Sequence, residues 1–469
     1  MVVLDATVVN VALPSIQSDL EMSEADLQWI VNAYTLVFGG FLLLGGRAGD
    51  LIGRKRVFLA GVVIFTVASL LNGLATSSEM LIVSRGLQGL GGALVSPAAL
   101  SILNTSFESE RDRTKALGGW SAIAAGGGAV GLVLGGALTD WFSWPWIFFV
   151  NLPIGVIAFV LSARLVPESK AETKERSFDI GGAISVTAGL IVLVFAIVRT
   201  SSVGWGSWQT IVGFVGAVAL LAAFVLIERR AKAPLVRLDI FSVPTLRAAN
   251  LTMVAIMAGL FAMFFFNTLY MQRVLGYSAL KTGVAFVPFP VGIVIGAGLA
   301  QTLIRQRGTR TVTLIGAAFS VLGMFWLVRL DVDSSYAADL LPSILVTSIA
   351  MGLTFVPLTL IGTGGLPNED AGLVSGLFNT SQQVGGAIGL AALSTVSASR
   401  IDDRLAGAGA DPSTGEQLSA LVHGFKGAFA GAAILVAAGG LLFLALLRKR
   451  HVDAGTAQAT EPATESRSG

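Results

Sequence analysis

Thirteen stretches of at least 18 residues contain no Asp, Glu, Lys or Arg: 27–46, 57–78, 86–107, 116–139, 141–163, 180–198, 200–227, 248–272, 282–304, 311–328, 340–368, 371–399 and 427–447. At 1.5 Å rise per residue each can carry a helix across a hydrocarbon layer about 30 Å thick. Composition agrees, with 54% apolar residues, 13% charged residues and a mean hydropathy of +0.77, where soluble domains carry about 25% charge. A soluble globular enzyme is excluded. The expectation is an all-α polytopic membrane protein. A further segment, 1–16, has only three residues ahead of Asp5, and reads as the back half of a first span truncated in this chain. It lacks the basic start and unbroken apolar run of a signal peptide.

Assigning the connections to alternate sides of the membrane separates the basic residues cleanly. Twenty-three of the 31 lie on one side, in 47–56, 108–115, 164–179, 228–247, 305–310 and 448–469. The other side holds eight: Arg85, Arg199, Arg273, Lys281, Arg329, Arg400, Arg404 and Lys426. Cytoplasmic connections are enriched in Lys and Arg, so the rich side is inside. This places the C-terminus in the cytoplasm of a multi-pass protein of the inner membrane. The end of the chain, 448–469, is rich in Ala, Thr, Ser and Glu and is expected to be a disordered cytoplasmic tail.

An internal repeat fixes the organisation. Gly127-Gly128-Ala129-Val130-Gly131 returns as Gly385-Gly386-Ala387-Ile388-Gly389, and Gly118 as Gly376, at an offset of 258. Gly53, Lys55, Val57, Leu59 and Gly61 return as Gly308, Arg310, Val312, Leu314 and Gly316, at an offset of 255. Both pairs are eight spans apart, which fits two six-helix halves with two extra central helices between them. The expected units are an N-terminal half over 1–177, inserted helices over 178–227, a C-terminal half over 228–447 and the tail.

Several chemistries are absent. The chain has no cysteine and two histidines, His423 and His451, so thiolate sites, disulfides and imidazole clusters are excluded and no metal is expected. There is no Gly-x4-Gly-Lys-Ser/Thr loop and no cytosolic segment long enough for a nucleotide-binding domain. A net charge of +2 gives no general field for nucleic acid. No selectivity-filter loop is present either, which disfavours a channel. No cofactor is called for, and the remaining energy source is an ion gradient.

Asp5 is the one acidic residue well within an apolar segment, where a charge costs about 2.5–3.5 kcal/mol on insertion scales. Loss of water disfavours a charged carboxyl, so such a residue can gain and lose a proton as water access alternates. Arg85 is the natural opposite charge, although it also reads as an arginine snorkelling to the interface. Between the second and third spans, Gly46, Arg47, Asp50, Gly53, Arg54, Lys55 and Arg56 form a tight, charged connection. It reads as a gate in which Asp50 and Arg54 pair or release, and equally as a basic anchor at anionic headgroups. Asn267 with Tyr270, and Asn379 with Gln383, are candidate lining residues, together with Tyr34 and Gln88. Met253, Met257, Phe261 and Phe265 recur every four residues and read first as packing, second as an adaptable apolar wall.

The charged connection resembles the signature loop of the major facilitator superfamily. Leu81 to Ala93, with Arg85, Gln88 and Gly89, is similar to the family's fourth-span motif. Gly127, Gly131, Gly135 and Gly136 are similar to its fifth-span antiporter motif, and Leu4 to Pro14 and Trp144 to Gly155 resemble the first-span and sixth-span motifs of the fourteen-span drug:proton antiporters. Leu132, Gln382 and Pro145 depart from the usual proline, arginine and arginine of those motifs. The resemblance implies a multidrug efflux antiporter, with Arg85 coupling Asp5 to substrate and the fifth-span glycines allowing close helix packing. Its partners would be protons, small amphiphilic and cationic compounds and the bilayer, with no nucleic acid and a monomeric working unit. Two alternatives stand beside it: an exporter restricted to one metabolite, lipid or antibiotic, and a non-transporting membrane sensor.

Overall fold

The computed structural model describes residues 1–107, 109–170, 179–231, 234–363, 371–407 and 412–447. The boundary expected at 177/178 and the tail 448–469 lie outside them. Among the described residues every regular element is helical. The chain runs through α1 (Val2–Asp19), α2 (Glu24–Ile52), α3 (Arg54–Gly73), α4 (Ser78–Ser106), α5 (Glu110–Trp141), the short α6 (Trp146–Phe149), α7 (Asn151–Leu165), α8 (Ile180–Val203) and α9 (Trp208–Arg230). It continues through α10 (Pro244–Leu269), α11 (Ala279–Phe286), α12 (Pro288–Arg307), α13 (Thr309–Trp326), α14 (Leu341–Thr363), α15 (Ala371–Ala406) and α16 (Thr414–Leu446).

The starts of these helices are written locally. Ser23, Ser77, Ser109, Asp179, Ser207, Ser278 and Ser413 each accept a first-turn backbone N–H through the side chain. That satisfies donors left over at a helix start. Pro244 and Pro288 open α10 and α12, where the missing N–H costs nothing. Among the described residues each charge-free stretch is mostly helical, although 200–227 is divided by the connection between α8 and α9 and 141–163 by the turn before α6, and twelve candidate spans meet the length and hydropathy expected of a membrane crossing. α1 and α5 pack together within the same bundle.

Two features of the packing recur in the first and last sets of helices. Gly131 and Gly135 of α5 let α1 approach, with Leu4 and Thr7 against the first glycine and Val8 against the second; in the same way Gly385 and Gly389 of α15 receive Val254 and Ala258 of α10. Lys55 Nζ donates to the carbonyl of Ala163 in the last turn of α7 at 2.7 Å. Its counterpart Arg310 donates to Leu447 and Leu444 at the end of α16, at 2.8 and 3.4 Å. Each cation therefore meets the exposed carbonyls and negative dipole end of the last helix of its own set. The α8–α9 hairpin lies against α2 and α15, which also pack on each other.

The charged connection between the second and third spans is mostly not a loop. α2 runs on through Gly46, Arg47 and Asp50 to Ile52, and Gly53 alone separates it from α3. Gly53 has φ +126°, a conformation that side chains with a Cβ rarely adopt. The Glu168 carboxylate lies where its Cβ would stand. Charge-free counting drew the span short because Arg47 and Asp50 are carried on the helix itself. The same counting started the fourth span at residue 86, whereas α4 begins at Ser78 and holds Arg85 two turns in.

Candidate functional site: a buried ion pair among six helices

Asp5 lies in the first turn of α1 and is 1% exposed; Arg85 on α4 is 2% exposed. Arg85 Nη1 donates to Asp5 Oδ2 at 2.6 Å. The other carboxylate oxygen accepts from Gln88 Nε2 at 2.7 Å and from Asn151 Nδ2 at 3.0 Å. Arg85 is anchored further by its Nε, which donates to the carbonyl of Ile30 on α2 at 3.0 Å, and by Gln88 Oε1 at 2.6 Å. Its guanidinium lies 4.4 Å from the centroid of the Tyr34 ring and 5.8 Å from that of Phe148, cation–π contacts that are strongest out of water.

A second tier holds the first. Asn72 Nδ2 donates to Gln88 Oε1 at 2.6 Å, and Asn72 Oδ1 accepts from Ser84 Oγ at 2.6 Å. Ser69 Oγ accepts from Asn151 at 3.1 Å and Gln88 at 3.3 Å while donating to the carbonyl of Phe148 at 2.9 Å. Helices α1, α2, α3, α4, α6 and α7 thus meet at one point. An isolated charge in hydrocarbon would neutralise or draw in water; here opposite charges and aligned donors replace hydration. Two polar atoms of the cluster keep no partner, the Tyr34 hydroxyl and Asn151 Oδ1.

The fifth-span glycines set the position of this carboxylate. Gly131 and Gly135 admit the α1 backbone at Leu4, Thr7 and Val8, on either side of Asp5 in sequence, while Gly136 faces Ala279 and Leu280 of α11. Gly127 only reaches Val3, at 4.0 Å from its Cβ position. At the far end of α2, Arg54 Nη2 and Asp50 Oδ1 form an ion pair at 3.3 Å. Glu168 joins them, accepting the Lys55 backbone N–H at 3.2 Å and pairing with Arg56 at 3.5 Å. Gly46 packs loosely on Pro97.

The candidate lining residues scatter. Tyr34 and Gln88 belong to the ion-pair cluster, and both ends of the Gln88 amide are engaged there; it orients Asp5 rather than offering a free amide. Tyr270 donates its hydroxyl to the carbonyl of Asp331, tying the end of α10 to the connection after α13. Asn379 is exposed and donates to the carbonyl of Ser375 one turn back. Gln383 sits in the α2–α15 seam against Gly39. Asn267 is fully buried with neither amide atom partnered, as is Asn32. Met253, Met257 and Phe265 are core residues, and Phe261 packs on Gly386. Ser69, Asn72 and Ser84 were not singled out from sequence, although an asparagine within a charge-free stretch was the available signal; Glu168 had none.

On the side that the basic-residue count assigns to the exterior, a cleft of about 720 Å³ opens between the ends of α1 and α5 and the start of α11. Asp19 in its wall accepts from Trp144 Nε1 at 2.7 Å. Asp140 at the end of α5 accepts the backbone N–H groups of Ala279 at 3.1 Å and Leu280 at 2.9 Å. Gln272 Nε2 donates to the carbonyl of Val11 at 2.7 Å, and Arg273 bonds Gln17. These contacts fasten helices from the first part of the chain to helices from the second.

Comparison with known proteins gives one family. The Major Facilitator Superfamily matches residues 1–181 and 174–390. A puromycin resistance protein of Streptomyces alboniger is 38% identical over 99% of this chain and 92% of its own. A cephamycin export protein of Amycolatopsis lactamdurans is 42% identical over 85% and 83%, and a tetracenomycin C resistance and export protein of Streptomyces glaucescens 34% over 86% and 74%. Among solved structures, a bacterial homologue of the human lysosomal transporter Spinster superposes with a TM-score of 0.64 at 15% identity, covering 98% of this chain and 96% of that one, a likeness of fold.

Proposed function

Because the chain belongs to the Major Facilitator Superfamily, a family of transporters rather than enzymes, we propose that this export-type membrane protein expels lipophilic, cationic or amphiphilic compounds in exchange for protons. The observation that carries the reading is the Asp5–Arg85 pair. It is buried, joins a carboxyl to a guanidinium, and is held by further hydrogen bonds from Gln88 and Asn151. Proton uptake on Asp5 removes the charge that holds Arg85. The guanidinium then keeps Ile30, Gln88 and the Tyr34 ring but loses its counter-ion, and the link between α1 and α4 is no longer the favoured one. Two arrangements whose balance depends on one proton are what coupled transport requires. In this reading the gradient is the energy source, Asp50, Arg54 and Glu168 stabilise one closed state at the cytoplasmic side, and the monomer in the inner membrane is the working unit, with its C-terminus inside.

The test is efflux of a fluorescent lipophilic cation from proteoliposomes under an imposed pH gradient. Gradient-dependent flux abolished by a protonophore and by Asp5→Asn supports the reading. Undiminished gradient-driven flux in a well-folded Asp5→Asn variant overturns the coupling role. A second reading, export of one antibiotic, is favoured by relatives named for puromycin, cephamycin and tetracenomycin. A competition panel separates the two: a broad pump is inhibited by unrelated cations, a narrow one by a single chemotype.

A further inference from the structure

A second buried carboxylate pair lies at the foot of the α8–α9 hairpin, away from the Asp5 cluster. Asp179, the N-cap of α8, and Glu228, near the end of α9, are 8% and 3% exposed. One oxygen of each is fixed by a backbone donor: Asp179 Oδ1 accepts Gly182 N–H at 2.7 Å and Glu228 Oε2 accepts Val236 N–H at 3.2 Å. The remaining oxygens, Asp179 Oδ2 and Glu228 Oε1, have no partner. Both face the same point. They lie 2.8 and 2.9 Å from the position a Cβ on Gly182 would occupy, and Gly182 has none.

Charged neighbours do not resolve this. On the elements packed here the charged side chains include Arg199 of α8, Arg229 and Arg230 of α9, Arg237 and Asp239 of the following connection, and Asp26, Arg47 and Asp50 of α2. Among the described residues, none forms an ion pair with either carboxylate. Two buried carboxylates at one place cannot both ionise cheaply, and a carboxylate stripped of water without a partner is costly. Among the described residues no third carboxylate or imidazole joins the two to hold a metal ion. One proton fits: it removes one of the two buried charges, and the neutral carboxyl gains an O–H donor directed at the space the two orphan oxygens share.

We propose that Asp179 and Glu228 form a proton-binding site that shares one proton, leaves the pair with a single negative charge, and clamps the foot of the hairpin. The clamp has a definite grip. Glu228 holds the Val236 backbone; Leu235 and Val236 are buried with Ala183, and Phe41, Leu43 and Leu44 of α2 pack over them. One turn further along, Thr187 of α8 meets Gly40 of α2. Proton occupancy therefore governs how firmly the hairpin and the connection to α10 hold α2. The proposal does not depend on the role given to Asp5.

Infrared spectroscopy of the full chain in lipid nanodiscs reads the carbonyl stretch of a protonated carboxylic acid directly. At neutral pH the wild-type protein is expected to show such a band that Asp5→Asn leaves in place. Either Glu228→Gln or Asp179→Asn alone is expected to abolish it, since one proton is shared. Both amides keep an oxygen to accept their backbone N–H groups, and asparagine is a good N-cap, so both variants retain the local fold. Gly182→Ala, which leaves both carboxyls but sets a methyl group 2.8 and 2.9 Å from their orphan oxygens, is expected to shift or remove the band. No such band in the wild type, a band surviving in either single variant, or one halved by each, as two independent acids would give, overturns the proposal.

Discussion

At the scale of residues, the decisive fact is that the Asp5–Arg85 pair is worth most as a pair. Removing one partner of a buried pair leaves an uncompensated charge and costs about 3–5 kcal/mol, whereas replacing both by neutral groups is often close to neutral. Arg85→Gln should therefore lower the thermal midpoint in detergent markedly. The double variant Asp5→Asn/Arg85→Gln should recover most of the loss, a coupling that a thermodynamic cycle measures. If the double variant is as unstable as the single one, the cluster is held by its amides and not by charge. Tyr34 divides in the same spirit: its ring lies under the guanidinium, but its hydroxyl has no partner. Tyr34→Phe should leave stability within about 0.5 kcal/mol, and Tyr34→Leu, which removes the aromatic face, should cost up to about 2 kcal/mol. Equal losses in the two variants would show that the hydroxyl and not the ring matters.

At the scale of elements, the spans were legible because a lipid-crossing helix must exclude charge for about 20 residues, and the described part of every charge-free stretch is mostly helix. The ends were less legible. Arg47, Asp50 and Arg85 are charges carried on helices, the first two near an interface and the third inside a neutralising cluster, so counting charge cut α2 and α4 short. Asp5 and Arg85 could be singled out as costly and Gln88 and Tyr34 as polar groups in spans, but the roles of Ser69, Asn72 and Asn151 could not, because they are unremarkable alone and acquire meaning from α3, α4 and α7 converging. Glu168 is further out of reach: it acts on the start of α3 from 113 positions away. The glycines were visible as a motif, yet which of them matter depends on what stands opposite. An added methyl at Gly135 would press within 2.9 Å of the Val8 backbone, while Gly128 has nothing within 4 Å. Gly135→Ala should therefore destabilise by about 1–3 kcal/mol through overpacking and reduce transport by displacing α1. Gly128→Ala should be neutral or should stabilise by up to about 1 kcal/mol through helix propensity. Midpoints and flux measured side by side check the contrast, and similar effects at both sites would contradict it.

At the scale of the whole molecule, the first seven helices meet the last seven at the outer ends of α1 and α5 through a set of polar contacts laid beside close α5–α11 packing. Asp140 is the clearest of them. Its two oxygens accept two free N–H groups at the start of α11, where the helix dipole adds to the attraction, and Gly136 and Gly283 bring the α5 and α11 backbones together beside it. Removing such a cap costs about 0.5–2 kcal/mol. Since 1.4 kcal/mol corresponds to tenfold in an equilibrium constant, Asp140→Ala should shift the balance towards an outward-open arrangement by a few-fold to about tenfold, leaving the Asp5 cluster intact. The absence of cysteine makes this measurable: a single cysteine introduced at Ser18, in the wall of the outer cleft, is the only thiol in the protein. Its reaction with a membrane-impermeant maleimide should accelerate by the same factor when Asp140→Ala is added, and Asp140→Asn, which keeps one acceptor oxygen, should fall between. An unchanged labelling rate in Asp140→Ala would mean that Arg273 with Gln17 and Gln272 with Val11 hold the seam closed without the aspartate.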